Sequence, residues 1–158
     1  MVTAYEVASA VRDPELPVLT LAELGVLRDV TEEDGRVRVT ITPTYSGCPA
    51  VAEMGADLRR SLLAAGYGEV EVRTVLAPAW TTDWITADGR RKLAEAGIAP
   101  PGRVGPVVLN LVPPTRRVAC PRCGSSSTRE LSRFGSTACK ALWRCSDCAE
   151  PFEYLKEL

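Results

Sequence analysis

Four cysteines near the C-terminus constrain the fold of this chain more than any other feature of the sequence. They form two Cys-x-x-Cys pairs, Cys120 with Cys123 and Cys145 with Cys148, separated by 21 residues. Each pair can place both sulfurs on one side of a metal ion, and a hairpin that returns the second pair completes four thiolates at about 2.3 Å from the ion. The spacing therefore predicts one tetrahedral metal site, with structural zinc as the expected ion.

Disulfide bonds are the alternative use of paired cysteines, and the start of the chain argues against them. The sequence MVTAYEVASAVRDPE contains no apolar run of the kind that a secretory signal requires. Disulfides are typical of oxidising compartments, so we expect reduced cysteines and a cytoplasmic protein. No stretch approaches the roughly 20 apolar residues of a membrane span, and no membrane partner is expected.

The sequence contains no histidine, and this excludes several functional classes. Hydrolases with Ser-His-Asp or Cys-His sites, Rieske clusters and zinc catalysis through histidine all require that side chain. Proton transfer near neutral pH would depend on cysteine, a shifted carboxylate or lysine. We therefore expect a protein that is not an enzyme on its own.

The hydrophobic pattern predicts an α+β domain with the order helix, strand, strand, helix, strand. Thr3 and Glu6 have the spacing of a capping box, which marks the start of the first helix. Val37, Val39 and Ile41 alternate with polar residues, as in a half-buried strand. The remaining elements are predicted at Val26–Val30 (strand), Pro49 to about Ala65 (helix) and Glu69–Leu76 (strand).

Composition predicts two folded parts joined by a linker. Residues 1–97 form the α+β domain, residues 98–115 are a linker rich in proline and glycine, and residues 116–158 form the four-Cys ribbon. The ribbon is too short for a self-supporting core, so the metal should supply much of its folding free energy. Its predicted antiparallel sheet comprises Thr128–Phe134, Ala141–Arg144 and Phe152–Leu155.

The cysteine pairs differ in the residue that follows them. Gly124 supplies the permissive backbone that often follows the second cysteine of a metal knuckle. Ala149 stands at the equivalent place in the second pair, which is a mild departure from the pattern.

Two further cysteines lie outside these pairs. Cys48 precedes Pro49, at the predicted N-cap of the long helix, where free N–H groups and partial positive charge favour a thiolate. Such a thiolate can attack an electrophile, bind a metal or hold a cluster transiently, whereas the alternative is a small buried residue that only packs. Cys139 is either a free thiol near the metal, a partner contact or a packing residue. Asp13 and Glu15 either cap neighbouring backbone or join a site with Cys48.

Two motifs in the first part of the chain resemble a known family. Asp13-Pro-Glu-Leu-Pro-Val-Leu-Thr, followed by Leu24-Gly25-Val26, resembles the opening of the iron–sulfur-assembly domain family that includes SufT. Thr42-Pro-Thr-Tyr-Ser-Gly-Cys48-Pro49 resembles the second motif of that family, whose cysteine is its best candidate for a functional thiol. The resemblance covers roughly residues 3–97.

Three more motifs extend the resemblance to the whole chain. They are Trp84-Ile85, Cys120-Pro-x-Cys-Gly-Ser and Phe134-Gly-Ser-Thr-x-Cys-Lys-Ala. Together the motifs resemble the PaaD (PaaJ) family of the phenylacetate-CoA oxygenase, or phenylacetyl-CoA epoxidase, system. The resemblance implies an accessory subunit in aerobic phenylacetate degradation that matures or assembles iron or iron–sulfur centres through Cys48. Its expected partners are the other epoxidase subunits, which include a di-iron catalytic chain and an iron–sulfur flavin reductase, or their metal centres.

One cysteine for each chain is too few for a stable cluster, which usually has four ligands. A homodimer or a client protein should therefore complete the coordination of any transient iron or cluster at Cys48.

Two other functions fit parts of the sequence. Iron also accepts four thiolates, so the ribbon could serve as a rubredoxin-like electron-transfer site. Nucleic-acid binding has weak support, because the ribbon carries a net charge of only +3 against −4 in residues 1–115. We expect no nucleic-acid partner. The basic residues considered for it are Arg116, Arg117, Arg122, Arg129, Arg133, Lys140 and Arg144.

Overall fold

The computed structural model of the protein describes residues 2–103 and 116–157. These residues form two compact units, one up to Gly89 and one comprising Arg90–Glu157. The predicted boundary after residue 97 stays a prediction, and residues 104–115 of the predicted linker lie outside the described ranges. Among the described residues, no helix is both long enough and apolar enough to cross a membrane.

The first unit has the predicted α+β order. Its elements are α1 (Ala4–Ser9), β1 (Leu27–Glu33), β2 (Arg36–Ile41), α2 (Val51–Ala64), β3 (Glu69–Thr74) and a 3-10 turn at Thr82–Trp84. The sheet has the order β1-β2-β3, in which β2 is antiparallel to β1 and parallel to β3. The predicted sequence of helix, strand, strand, helix and strand is confirmed.

Helix α1 begins with the predicted capping box. The backbone N–H of Glu6 donates to Thr3 Oγ1 at 3.2 Å, and the N–H of Thr3 donates to Glu6 Oε2 at 2.7 Å. The helix ends at Ser9. The chain then folds back on itself, because the N–H of Leu21 donates to the carbonyl of Val11 at 2.8 Å.

The buried faces of β2 and α2 follow the periods of a strand and a helix. Val37, Val39 and Ile41 are buried on β2, as a half-buried strand requires. Met54, Leu58 and Leu62 are buried at four-residue intervals on α2. The helix ends in a Schellman motif: Gly66 has a φ of 98°, and Tyr67 N–H donates to the Leu62 carbonyl at 3.2 Å.

The second unit contains the predicted ribbon. Its strands are β4 (Ile98–Ala99), β5 (Thr128–Ser132), β6 (Lys140–Cys145) and β7 (Pro151–Leu155), and α3 (Ala87–Glu95) spans the division between the units. The sheet order is β4-β7-β6-β5, with the predicted antiparallel pairs β5/β6 and β6/β7. Strand β4 was not predicted, since two residues leave no periodic signal.

Candidate metal centre and the Cys48 loop

The structure brings the four paired cysteines together. All four Sγ atoms lie within 4.8 Å of one another. Cys120 Sγ lies 3.8 Å from Cys148 Sγ, and Cys123 Sγ lies 3.6 Å from Cys145 Sγ. Four sulfurs at 2.3 Å from a central ion would be separated by about 3.8 Å. The donor set therefore fits one tetrahedral metal ion.

The two cysteine pairs are held by equivalent backbone loops, or knuckles. Cys120 N–H donates to the Ser125 carbonyl and Cys145 N–H to the Glu150 carbonyl, each at 2.9 Å. In both pairs the first cysteine is buried and the second is exposed. The residue after each second cysteine has a positive φ, 74° at Gly124 and 62° at Ala149. The second knuckle therefore adopts the same conformation as the first, although it lacks the glycine.

Ala149 stores backbone strain that glycine would relieve. A left-handed conformation costs a residue with a Cβ about 1–2 kcal/mol. Substitution by glycine removes this cost, but the greater flexibility of glycine in the unfolded chain offsets part of the stabilisation. We expect Ala149→Gly to stabilise the metal-loaded ribbon by about 1 kcal/mol, measured by thermal or denaturant unfolding. Gly124→Ala should destabilise it by a similar amount. Unchanged stability in both variants would contradict the proposed strain.

The thiols of Cys123, Cys145 and Cys148 do not ionise independently. The backbone N–H of Cys148 outweighs burial at Cys145 and lowers the pKa of that thiol to about 7. At Cys123 the N–H of Ser125 also lowers the pKa. The neighbouring Cys145 thiol, burial and the other thiols outweigh it and raise the pKa of Cys123 to about 12. Sulfurs this close need a cation between them before all four can be thiolates.

Cys48 lies in a tight turn that precedes α2. Its N–H donates to the Tyr45 carbonyl at 3.2 Å, and its carbonyl accepts from Val51 at 3.4 Å. The helix begins at Val51, and its N-cap is Ala50, which makes no side-chain cap. The prediction that Cys48 is the N-cap residue is therefore wrong, because the turn places it before the helix.

The environment of Cys48 favours the protonated thiol. Burial is the main cause that raises its pKa, since the residue is only 7% exposed. The N–H of Ala50 acts in the opposite direction, while the charges of Glu15 and Asp13 raise the pKa further. The prediction that this position favours a thiolate is therefore wrong, because the pKa of Cys48 is raised and not lowered. The structure nevertheless brings Cys48, Asp13 and Glu15 within electrostatic range of one another.

Asp13 shapes the loop that faces this thiol. Its carboxylate Oδ1 accepts hydrogen bonds from the N–H groups of Glu15 at 2.8 Å and Leu16 at 2.7 Å. Its own N–H donates to the Leu19 carbonyl at 3.0 Å. Asp13 is buried, whereas Glu15 is half-buried. Asp13 thus caps neighbouring backbone, one of its two predicted roles, and its carboxylate also acts on Cys48.

Tyr45 is a contact of Cys48 that the sequence reasoning missed. Its side chain hydrogen-bonds Cys48 and lowers the pKa of that thiol, against the larger effect of burial. The available signal was its position three residues before Cys48, inside the motif that runs from Thr42 to Pro49.

The raised pKa of Cys48 predicts slow alkylation near neutral pH. An ordinary cysteine is half ionised at about pH 8.5, so the labelling rate of Cys48 should still increase above that pH. Glu15→Gln removes one negative charge and should speed labelling at pH 7.5, measured by mass spectrometry of the Cys48 peptide. Glu33→Gln on β1 is the matched control and should leave the rate unchanged. Equal rates in wild type and Glu15→Gln would contradict the electrostatic contact.

Cys139 is separate from the four-cysteine group. It is buried, and its Sγ lies 3.1 Å from Thr137 Oγ1. Its carbonyl accepts from the N–H of Lys156 at 2.9 Å. It is not part of the potential metal-binding group found among residues 2–103 and 116–157.

Two protein families match successive parts of the sequence. The family described as "Iron-sulfur cluster assembly protein" matches residues 4–74, which include the whole Cys48 loop. The family described as "PaaD zinc beta ribbon domain" matches residues 106–156, which include all four paired cysteines.

One individual protein matches nearly the whole chain, and others match about half of it. The chain is 47% identical over 152 residues, covering 96% of its length and 90% of the relative, to an Escherichia coli (strain K12) protein provisionally named as a subunit of 1,2-phenylacetyl-CoA epoxidase. It is 39% identical over 75 residues, 45% of this chain and 71% of the relative, to the Bacillus subtilis (strain 168) Fe-S protein maturation auxiliary factor YitW. A Bacillus anthracis structure of the domain of unknown function DUF59 matches with a TM-score of 0.53 and 30% identity. That match covers 57% of this chain and 87% of the other.

Proposed function

The chain belongs to the PaaD family of phenylacetyl-CoA epoxidase subunits, and from this premise we propose that it matures or assembles the iron or iron–sulfur centres of that epoxidase. It acts as an accessory subunit in the cytoplasm and is not an enzyme on its own. Cys48 is the residue that handles iron or a cluster, with Asp13 and Glu15 beside it. The observation that carries this proposal is the placement of the Cys48 loop in a domain of the iron–sulfur-assembly type.

The geometry of the Cys48 loop supports transient rather than permanent binding. Cys48 is one buried sulfur, and the four-sulfur group of the described residues does not include it. An iron–sulfur cluster usually has four protein ligands. The missing ligands must therefore come from a second copy of this chain or from the client subunit. A client with a full set of its own ligands can then displace the single Cys48 sulfur and take the cargo.

We propose zinc as the ion of the four-cysteine site, with a structural role. Zinc sites with four cysteines are closed tetrahedral sites that stabilise a fold, and the sulfur separations fit that geometry. Metal analysis and a visible spectrum test this assignment. We expect one zinc ion for each chain and a colourless protein. A coloured protein with one iron ion would instead favour electron transfer through the ribbon.

Epoxidation in cells tests the proposed function. The remaining epoxidase subunits are co-expressed with the wild-type chain, with Cys48→Ser, with Cys139→Ser or without this chain. We expect phenylacetyl-CoA epoxidation with the wild type and with Cys139→Ser, and a loss of at least tenfold in the other two strains. Equal activity in all four strains would rule out the maturation role.

A further inference from the structure

The end of β5 and the loop that follows it expose two large apolar side chains. In this segment, residues 131–136, which we term the Phe134 loop, Leu131 is 44% exposed and Phe134 is 66% exposed. Leu131 lies where the register between β5 and β6 shifts, since Glu130 pairs with Trp143 and Ser132 with Leu142. Such a bulge redirects a side chain out of the regular sheet pattern. Both apolar side chains are thus presented to solvent.

A buried ion pair holds the loop in one conformation. Lys140 Nζ lies 3.0 Å from Glu153 Oε2, and the lysine side chain is only 6% exposed. Glu153 Oε1 accepts from the N–H of Ser136 at 2.7 Å, and Gly135 N–H donates to the Lys140 carbonyl at 2.8 Å. Burying such a pair adds little net stability, because desolvation offsets the attraction. Its structural effect here is to fix the path of the loop.

The aromatic ring itself is also held in place. Phe134 N–H donates to Ser132 Oγ at 3.2 Å, and Lys156 Nζ donates to the Arg133 carbonyl at 3.1 Å. The Lys156 ammonium lies 4.7 Å from the centre of the Phe134 ring. A Cβ at Gly135 would lie 2.7 Å from Glu153 Oε1, so a larger residue there would displace the carboxylate that accepts from Ser136. An aromatic side chain that is ordered before binding loses little entropy in an interface.

The charges around the loop select the partner. Arg129, Arg133 and Lys156 are cations on or beside it, and Glu130 is the one acidic residue in the segment 128–136. Glu153 also touches the loop, but its charge is paired with that of Lys140. The complementary surface is therefore an apolar pocket bordered by carboxylates on a protein. An RNA or DNA partner is disfavoured, because the centre of the patch is apolar and the ribbon carries a net charge of only +3.

We propose that Leu131 and Phe134, flanked by Arg133 and Lys156, form a docking surface for an acidic, pocketed surface on another epoxidase subunit. The identity of that partner rests on the proposed function. The docking surface belongs to the second unit and the Cys48 loop to the first, so its loss should abolish binding without altering the local chemistry at Cys48.

Binding of the full-length, metal-loaded chain to each of the other purified epoxidase subunits tests the proposal. We expect one subunit to bind the wild type, with affinity reduced at least tenfold by Phe134→Ala and largely retained by Phe134→Leu. Leu76→Ala, at an exposed apolar position of the first unit, is the matched control and should bind within twofold of wild type. Circular dichroism and metal content confirm that each variant is folded.

The charge contribution has its own pair of variants. Arg133→Glu should slow association at least fivefold and reduce its dependence on salt, whereas Arg117→Glu, at another exposed cation of the ribbon, should have a smaller effect.

Any one of four results of the binding experiment would overturn the docking proposal. In the first, Phe134→Ala binds with the affinity of the wild type, and in the second, no epoxidase subunit binds the wild type. In the third, the variant alters only self-association of this chain, and in the fourth, the wild type binds RNA and no epoxidase subunit. Iron analysis of the epoxidase separates the two proposals. If Phe134→Ala loses binding while the Cys48→Ser strain keeps full iron content, the docking surface is retained and maturation through Cys48 is rejected. If Phe134→Ala binds normally while the Cys48→Ser strain lacks iron, only the docking surface is rejected.

Discussion

Removing the metal should unfold the C-terminal ribbon while the first unit remains folded. The buried cluster of the second unit includes Cys120 and Cys145, which are also two of the proposed metal ligands, beside Trp143 and Phe152. Structural zinc contributes about 10–16 kcal/mol to the folding of small zinc-finger peptides, and a core this small cannot replace that contribution. Hydrogen exchange after chelation should show complete loss of protection in β6 and β7 and unchanged protection in α2.

Serine variants provide the matched control for metal removal. Cys145→Ser removes a buried ligand and should produce the same exchange pattern as chelation, with less than one metal ion for each chain. Cys139→Ser changes a buried cysteine outside the four-cysteine group and should retain both metal and protection. A ribbon that stays protected after chelation would contradict the structural role of the metal.

Gly25→Ala should strongly destabilise the first unit without touching a candidate site. Gly25 has a φ of 77°, a conformation that costs residues with a Cβ about 1–2 kcal/mol. An added Cβ would also lie 2.6 Å from Trp84 Cβ and 2.7 Å from the Trp84 carbonyl oxygen. Relief of this clash must move backbone, which typically costs a further 1–3 kcal/mol.

The segment that carries Trp84 has little freedom to move away. Trp80 Nε1 donates to the Leu24 carbonyl at 3.0 Å, and the Arg28 guanidinium lies 3.5 Å from the centre of the Trp84 ring. We therefore expect Gly25→Ala to lower the free energy of unfolding by about 3 kcal/mol or more. For a unit of this size, that change corresponds to a fall in Tm of about 12 °C or more.

Gly35 offers a control with the same backbone conformation and no clash. Its φ is 76°, and no atom lies within 4 Å of an added Cβ. Gly35→Ala should therefore cost only about 1 kcal/mol, which isolates the conformational cost. Calorimetry of both variants measures the difference, and equal losses of stability would contradict a steric role for Trp84.

The elements with a clear period were predictable from the sequence. The alternation of Val37, Val39 and Ile41 predicted β2, and the helix predicted from Pro49 to about Ala65 is present as α2 (Val51–Ala64). The two Cys-x-x-Cys pairs predicted that four sulfurs would converge, because each pair needs only a short loop to place its own two sulfurs together. These features depend on local spacing, which the sequence displays directly.

The features that depend on tertiary contacts were not predictable from local patterns. The start of α2 shifted because Cys48 bonds to Tyr45 in a turn, and the pKa of Cys48 rose because burial and two carboxylates outweigh nearby backbone N–H groups. Glycine at position 25 is required by Trp84, which lies far along the chain. These features are set by a turn, by burial or by contacts between residues that are far apart in the sequence, so the spacing of residues along the chain does not reveal them.

Iron analysis of the purified epoxidase tests the central claim most directly. Iron and acid-labile sulfide are measured in the epoxidase subunits purified from strains with the wild-type chain, with Cys48→Ser, with Cys139→Ser or without this chain. Our account predicts full metal content with the wild type and Cys139→Ser, and a clear deficit in the other two strains. Equal iron and sulfide in all four preparations would contradict a role for Cys48 in maturing the metal centres.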